Sequence, residues 1–364
     1  MKILRSHYLF VAFTLITALS ACHKDKNNPT PDKPTAQRAG VYVLNQGGFN
    51  DNGTLTYYDY TTQTLTADIF KQANGRSLGV LPNDIKIYGS KMYITVDKSG
   101  VLEVVNSKTA KSIKKILMRT AADTSVSREP RSIVFNKNKA FISEYDGTVA
   151  VLDTATLTID RYITVGRNPE QMAISNGKLY VANSGGLSFG NPDTTVSVID
   201  LATLTEIKKI TVAPSPISVG ADAFGNVYVF SAGVFGVTPG GMTVINSATD
   251  QIRSQSATIG AYGTSIVTSG DFAYFLTTTT GLDANVSVFN VKTQTLTDNH
   301  FITDGTVIEV PYNLTYDGTT GELFVSDAKD YTSNGAFFAF DKDGKKEYSI
   351  TTGINPGAFA FVNK

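Results

Sequence analysis

Short apolar runs of strand length recur along this chain, and each ends in the same kind of turn. An Asp or Asn follows the run, and a Thr comes three residues later or has decayed away. An Asx side chain bonds the backbone two residues on, and the Thr hydroxyl supports the same turn, so each copy predicts a hairpin corner. The Asx positions are Asp59, Asn106, Asp153, Asp200, Asn246, Asn290 and the degenerate Asp341. Their spacing of 44 to 51 residues is the period of a four-stranded propeller blade.

Within one period the order of elements is constant. The clearest copy predicts strands at 171–175, 178–183, 195–200 and 205–212, with Asn176-Gly177 as the hairpin signal between the first two. No period contains a helix-length amphipathic stretch, so at most one helical turn is expected. The predicted blade starts fall near Pro82, Pro130, Pro169, Pro216, Gly263, Pro311 and Pro356.

The two ends of the repeat complement each other. The last unit contains one strand, 358–362, whereas the first strand, 41–44, stands in the second-strand position of a unit that lacks its first. Pairing them removes the open edges of the ring. We therefore predict an all-β fold, a seven-bladed β-propeller over residues 40–364, closed by N- and C-terminal strands that share one blade. Its long loops, expected on one face with the connections between blades, are 46–53, 184–194, 232–241, 277–284 and 328–335.

The first residues predict export and anchoring. Lys2 and Arg5 precede an apolar stretch too short to span a bilayer comfortably, and the tetrapeptide 19–22 ends in Cys22, the only cysteine. This pattern resembles a bacterial lipobox. We expect residues 1–21 to be a lipoprotein signal peptide, Cys22 to be lipidated, and residues 22–39 to be a disordered tether. The expected location is the outer membrane, facing the cell exterior.

Composition narrows the chemistry. Lys and Arg together number 32, as do Asp and Glu, so no basic field favours nucleic acid. The predicted propeller contains one histidine, His300, and no cysteine, which argues against a multi-histidine metal centre and a cysteine nucleophile. Neither a catalytic residue nor a metal ligand is assigned. A calcium-dependent hydrolase stays as a lesser alternative, because Asn83, Asp84, Glu170 and Asn313 begin inner strands.

Four stretches resemble the YncE-like propellers, and most closely the cobalamin-capturing surface lipoproteins of the BtuG type. They are residues 83–93, 178–186, 301–306 and 325–331. The resemblance covers the chain from about Gly40 to its end. It implies a surface lipoprotein, not an enzyme, that binds cobalamin or a related corrinoid and passes it to a TonB-dependent outer-membrane transporter. A propeller that binds a glycan or a protein through the same loops is the alternative.

A corrinoid is flat and rimmed with neutral amides, so its receptor needs uncharged hydrogen-bonding groups and aromatic surfaces. The candidate ligand-binding residues fall into three chemical groups. Amides and hydroxyls to meet the rim are Asn45, Asn183, Ser184, Asn191, Thr194 and Asn334, and the loop carboxylate of Asp327 is a further candidate. Aromatic side chains to cover apolar surface or stack on a sugar are Phe49, Tyr145, Phe189, Phe235 and Tyr331. Arg131 and Arg167, at connections between blades, are candidates for a phosphate.

Overall fold

The computed structural model of the protein describes residues 38–188, 190–234, 236–259, 265–278 and 284–364. These residues form seven four-stranded antiparallel sheets, which confirms the predicted seven-bladed β-propeller. Cys22, Phe189, Phe235 and Gly263 lie outside the described residues. No helix within the described part of the chain is long and apolar enough to cross a membrane.

The strands are numbered in chain order, and each blade runs from the channel outward. Blades 1 to 3 contain β1 (Arg38–Asn45), β2 (Thr54–Asp59), β3 (Thr64–Thr66), β4 (Pro82–Tyr88), β5 (Lys91–Val96), β6 (Val101–Asn106), β7 (Ser112–Leu117), β8 (Pro130–Asn136), β9 (Lys139–Glu144), β10 (Thr148–Asp153) and β11 (Thr158–Thr164). Blades 4 and 5 contain β12 (Pro169–Ser175), β13 (Lys178–Asn183), β14 (Thr195–Asp200), β15 (Thr205–Thr211), β16 (Pro216–Ala221), β17 (Asn226–Val234), β18 (Thr238–Asn246) and β19 (Gln251–Ser256). Blades 6 and 7 contain β20 (Ile266–Ser269), β21 (Phe272–Thr278), β22 (Ala284–Asn290), β23 (Thr295–Asp298), β24 (Pro311–Asp317), β25 (Glu322–Asp327), β26 (Ala336–Phe340) and β27 (Lys346–Thr351), and β28 (Pro356–Asn363) completes blade 1.

The ring closes inside blade 1, as predicted. The strand order of that sheet is β28-β1-β2-β3, and Val41 pairs with Phe361 across the closure. The strand begins at Arg38, two residues before the predicted start of the propeller. An aromatic cluster packs along the junction with blade 7, where Phe324 lies 4.9 Å from Phe361 between ring centroids. Burial of such large apolar surfaces stabilises a closure that no covalent bond secures.

One helix, α1 (Ile69–Asn74), lies among the described residues. Asp68 caps it by accepting from the Lys71 backbone N–H at 3.1 Å, and Gly75 ends it with a φ of 66°. Phe70 is buried and anchors the helix to the core. At six residues α1 exceeds the single predicted turn, because a good cap and one apolar anchor stabilise it despite its weak amphipathic pattern.

The Asx turns form as the repeat predicts. In the first six blades the Asx Oδ1 accepts the backbone N–H groups two and three residues on, at 2.8 to 3.3 Å. In the degenerate seventh turn, Asp341 accepts from Asp343 and from Lys345 instead. These hydrogen bonds lower the pKa of the Asp59, Asp153, Asp200 and Asp341 carboxyls. In every turn, therefore, a carboxylate or amide oxygen of the Asx side chain accepts hydrogen bonds from the backbone of the same turn.

The last residue of an Asx turn also bonds the preceding blade. The carbonyl of Ala110 accepts from Asn74 at 2.9 Å, and the carbonyl of Leu157 accepts from Lys114 at 2.7 Å. The carbonyl of Asp250 accepts from Lys208 at 2.5 Å. Each of these three turns therefore stabilises both its own hairpin and a blade interface.

The antiparallel topology separates two faces. The turn face carries the Asx turns, Arg38 and the end of β28, whereas the loop face carries the connections between blades and the long loops. The predicted loop 232–241 is mostly strand, since β17 extends to Val234 and β18 begins at Thr238. Cross-strand pairing of Gly233 with Pro239 continues this hairpin beyond the other blades. The alternation of apolar residues stops at Ser231, so the sequence of the glycine-rich extension carries no apolar signal for a strand.

Candidate functional site

A central channel of about 580 Å³ is lined by the innermost strand of every blade. This volume lies within the range typical of small-molecule pockets in proteins. The channel opens on the loop face, where the innermost strands begin. Its lining there is polar on one side, through Asn83, Arg131 and Glu170, and apolar at Ile217 of blade 5.

A repeated backbone contact sets the geometry of this opening. In five blades the residue before the starting proline has a φ between 46° and 58°, a region that such residues rarely adopt. Its carbonyl accepts the N–H of the residue that follows the proline's partner on the second strand, at 2.8 to 3.1 Å. The pairs are Leu81 with Asp97, Glu129 with Tyr145, Asn168 with Ser184, Ser215 with Ala232, and Asn355 with Gln46. This contact holds each connection between blades against the loop that follows the second strand.

Two register positions therefore border the opening: the residue after the proline and the residue that follows the proline's partner on the second strand. We call the polar and aromatic residues at these positions that line the channel or contact Arg131 the channel mouth. It comprises Gln46, Asn83, Asp97, Arg131, Tyr145, Glu170 and Tyr312. Every one of these side chains is contributed by blades 1 to 4 or by blade 7.

Arg131 lies at the centre of the mouth. Its Nη1 donates to Asp97 Oδ2 at 2.6 Å and its Nε to Glu170 Oε2 at 3.2 Å. The Tyr145 ring covers the guanidinium at 4.4 Å, and the Tyr145 hydroxyl donates to Glu170. Burial raises the pKa of Asp97, while Arg131 opposes that shift. Two carboxylates therefore already bond the guanidinium, and the contact of Arg131 with a phosphate stays a prediction.

A second set of contacts continues the network around the mouth. The Asn83 amide, with its oxygen turned toward Arg131, accepts from Nε at 3.0 Å. The side-chain amide of Gln46 lies 3.2 Å from that of Asn83, and the Tyr312 hydroxyl donates to Gln46 Oε1 at 2.5 Å. Tyr331 packs edge-on against Tyr312 at 6.1 Å and is half exposed. Neutral hydrogen-bonding groups thus follow the ion pairs around the rim, with an accessible aromatic ring beside them.

Four predicted ligand-binding side chains lie inside the protein instead. Asn45, Asn183 and Asp327 stand opposite the starting proline of their blades, and they and Ser184 are at most 2% exposed. Asn183 bonds Thr195 and Ser197 at 3.0 and 2.9 Å, and Asn45 makes the matching bonds to Thr54 and Thr56. Asp327 accepts backbone N–H groups, and Ser184 donates to the Asn168 carbonyl. In this structure the four side chains hold strands and connections together, and their contact with a ligand stays a prediction.

The remaining predicted residues lie on the exposed loop face. Phe49 is 71% exposed, and Asn191 and Asn334 are exposed as well. Arg167 is half exposed and donates to Ser188 at 3.2 Å and to the Asn191 carbonyl at 3.1 Å. Thr194 is partly buried behind the same loop. These residues surround the mouth and do not line the channel.

The inner-strand polar groups considered for calcium bond neighbouring blades. Asp84 Oδ2 accepts from Ser132 Oγ at 3.2 Å, and Asn313 Oδ1 accepts from Ser265 Oγ at 2.8 Å. Gln171 and Ser218 make the same contact at 2.7 Å. Among the described residues, no three His, Cys, Asp or Glu side chains are placed to share a metal ion.

A buried carboxyl beneath the loop face carries a strongly shifted pKa. Glu144 pairs with the starting proline Pro130 and is fully buried. The equivalent position is Asn45 in blade 1 and Asn183 in blade 4. Burial raises its pKa to about 8. Thr148 Oγ1 lies 2.7 Å from Glu144 Oε2 and 2.6 Å from Asp146 Oδ1, yet it has one proton to donate. A protonated Glu144 satisfies both contacts by donating to the hydroxyl, which then donates to Asp146.

With the geometry established, comparison with known sequences assigns the chain to a family. A family profile described as a domain of unknown function, DUF5074, matches residues 39–356. The chain belongs to the DUF5074 family. The matched range includes β2 to β27 and nearly all of β1, and it ends where β28 begins, so membership applies to the propeller as a whole. No curated protein sequence matches the chain significantly.

Solved structures share the fold at low sequence identity. Hydrazine synthase of Kuenenia stuttgartiensis is 15% identical with a TM-score of 0.59, covering 76% of this chain and 88% of that one. The computationally designed Ika8 protein is 12% identical with a TM-score of 0.58, covering 90% and 97%. The Pan2 WD40 domain of Neurospora crassa is 12% identical with a TM-score of 0.54, covering 78% and 79%. At these identities the likeness concerns the fold alone.

Sequence reasoning missed part of the mouth. Gln46, Asp97 and Tyr312 were not among the candidates, and Asn83 and Glu170 were considered only as calcium ligands. A usable signal exists in the repeat, because every mouth residue occupies one of two positions: the residue after a starting proline, or the residue that follows the proline's partner on the second strand. Reading those two positions blade by blade would have found the mouth.

Proposed function

We propose that this DUF5074 propeller is a surface lipoprotein that captures cobalamin or a related corrinoid at its channel mouth. In this proposal the protein is not an enzyme, and it passes the ligand to a TonB-dependent outer-membrane transporter. The fold and family support a ligand- or protein-binding propeller. The observation that carries the finer proposal is the mouth itself, a wide opening in which Asp97 and Glu170 pair with the one guanidinium and the remaining polar groups are amides and hydroxyls.

The chemistry of the mouth matches the rim of a corrinoid. Amide side chains such as those of Gln46 and Asn83 both donate and accept hydrogen bonds, as do the carboxamides around a corrin ring. Tyr331 and Phe49 add exposed aromatic surface next to these groups. A flat ligand spread over the mouth would therefore meet polar groups at its edge and aromatic rings at its side.

The topology supports presentation of the mouth away from an anchor. Arg38, where the described chain begins, lies on the turn face, while the mouth lies on the loop face. If Cys22 carries the lipid, the tether joins the propeller on the side opposite the binding site. The transporter partnership and the outer-membrane location rest on the resemblance to YncE-like lipoproteins and on the N-terminal sequence.

One feature favours a glycan as the second candidate. Phe49 is 71% exposed and Tyr331 is 53% exposed, and exposed aromatic rings on a polar face can stack on sugars as well as on a corrin. A glycan array run beside a panel of corrinoids separates the two ligand classes.

Isothermal titration with cyanocobalamin tests the proposal. We expect one-to-one binding that Tyr331→Ala weakens by about tenfold, because removal of an aromatic side chain that the bound ligand covers costs about 1 to 2 kcal/mol. Phe224→Ala is the matched control, because Phe224 is an exposed aromatic residue in a turn on the opposite face. Absence of heat together with absence of any thermal stabilisation by cyanocobalamin would contradict corrinoid capture.

A further inference from the structure

The charges of the channel mouth do not cancel. Asp97 and Glu170 both pair with Arg131, so two carboxylates face one guanidinium. Asp84 and Lys86, farther along the channel, form an ion pair of their own at 2.6 Å. The polar side of the opening therefore carries an excess of one negative charge.

The guanidinium is also poorly placed to meet an anion. Asp97 and Glu170 occupy donors along its edge, and the Tyr145 ring covers one of its faces at 4.4 Å. A ligand carboxylate or phosphate approaching Arg131 would come close to the two carboxylates already bound there. Like charges placed together in a partly buried site oppose binding.

We infer that the mouth selects against anionic groups and that Glu170 is the residue that enforces this selectivity. Asp97 is almost fully buried behind Arg131, whereas Glu170 lines the channel and is the carboxylate that a ligand group meets. Glu170 therefore acts as a specificity-determining residue that favours neutral amides or a positively charged group at the rim. This inference rests on the proposed function, and it names the chemical class of ligand group that the site accepts.

Corrinoids allow a sharp test, because single side-chain amides of cyanocobalamin can be hydrolysed to carboxylates with almost no change in shape. We would titrate the protein with cyanocobalamin and with its isomeric monocarboxylic acids at neutral pH and low salt. At least one isomer is expected to bind about tenfold more weakly than cyanocobalamin, because its carboxylate meets the excess negative charge. High salt should reduce the difference in affinity between cyanocobalamin and this isomer, because it screens the repulsion between the charges.

Two variants then separate the role of Glu170 from a general charge effect. Glu170→Gln should bring the weakest isomer to within about threefold of cyanocobalamin, since the remaining charges at the mouth balance. Glu206→Gln makes the same substitution on the outer strand of the same blade, and it should leave the tenfold difference intact.

The titrations distinguish failure of the selectivity inference from failure of the proposed function. If all isomers bind as tightly as cyanocobalamin, or if Glu170→Gln leaves the difference unchanged, the selectivity inference is wrong and corrinoid capture stands. If cyanocobalamin itself does not bind, the proposed function is wrong and the inference falls with it.

Discussion

The turn face and the channel mouth use the same repeat in opposite ways. At the Asx position every blade has Asp or Asn, and every one of them binds backbone N–H groups of its own turn. At the position after the starting proline, by contrast, the blades differ in both charge and size. The described residues there are Asn83, Arg131, Glu170, Ile217, Tyr312 and Gly357.

The difference shows where the fold is stabilised and where it is free to vary. An Asx turn satisfies local backbone groups and, in three blades, a neighbouring blade, so a change there costs stability. A residue after the proline extends toward the opening, where backbone hydrogen bonds do not depend on its side chain. Diversity at the mouth is thus compatible with a regular scaffold, which is the arrangement expected of a binding protein.

The largest expected effect on stability comes from breaking the ion pairs of the mouth. Arg131→Ala leaves Asp97 buried without its partner, and we expect the free energy of unfolding to fall by roughly 2 to 4 kcal/mol. Arg167→Ala, at the corresponding connection of the next blade, removes a half-exposed arginine and should change stability by less than about 0.5 kcal/mol. Chemical denaturation of both variants measures the difference. Equal losses of unfolding free energy in the two variants would mean that the ion pairs of Arg131 do not stabilise the mouth.

Glu144 gives the next effect, and it depends on pH. Its pKa is raised to about 8 in the folded protein, so the folded state holds the proton more tightly than the unfolded state does. Stability should therefore fall as pH rises from about 4.5 to about 8, and Glu144→Gln should remove this dependence. At pH 9 the variant is expected to be more stable than the wild type by roughly 2 to 4 kcal/mol. Denaturation curves at pH 5 and 9 that shift equally in both proteins would contradict the assignment.

The smallest effect belongs to a single Asx turn. Asp200→Ala removes the acceptor of two backbone N–H groups and should lower the denaturation midpoint, whereas Asp200→Asn keeps an acceptor like that of Asn106. Because the pKa of Asp200 is lowered by these bonds, its advantage over Asn exists above its unfolded pKa and is lost as pH falls through the folded pKa. Midpoints at pH 7 and pH 2.5 check both statements. An alanine variant as stable as wild type would show that the turn forms without its acceptor.

The scaffold was predictable because its signals are local. The Asx turns, the starting prolines and the Asn176-Gly177 hairpin each act within a few residues, and the structure confirms all three. The mouth was not predictable in the same way, because its contacts join different blades: Arg131 pairs with Asp97, 34 residues earlier, and with Glu170, 39 residues later. The positions of Asn45 and Asn183 were not predictable for a related reason. A polar residue that ends an apolar strand cannot be distinguished from a loop residue until the pairing of the strands is known.

Hydrogen exchange in the free and the cyanocobalamin-loaded protein tests most directly whether the mouth is the binding site. With ligand at saturation, we predict exchange at least about threefold slower in segments 46–53 and 328–335, which border the mouth, and unchanged exchange at the Asx turns. Slowing confined to the turn face, or no slowing anywhere at saturating ligand, would contradict the account.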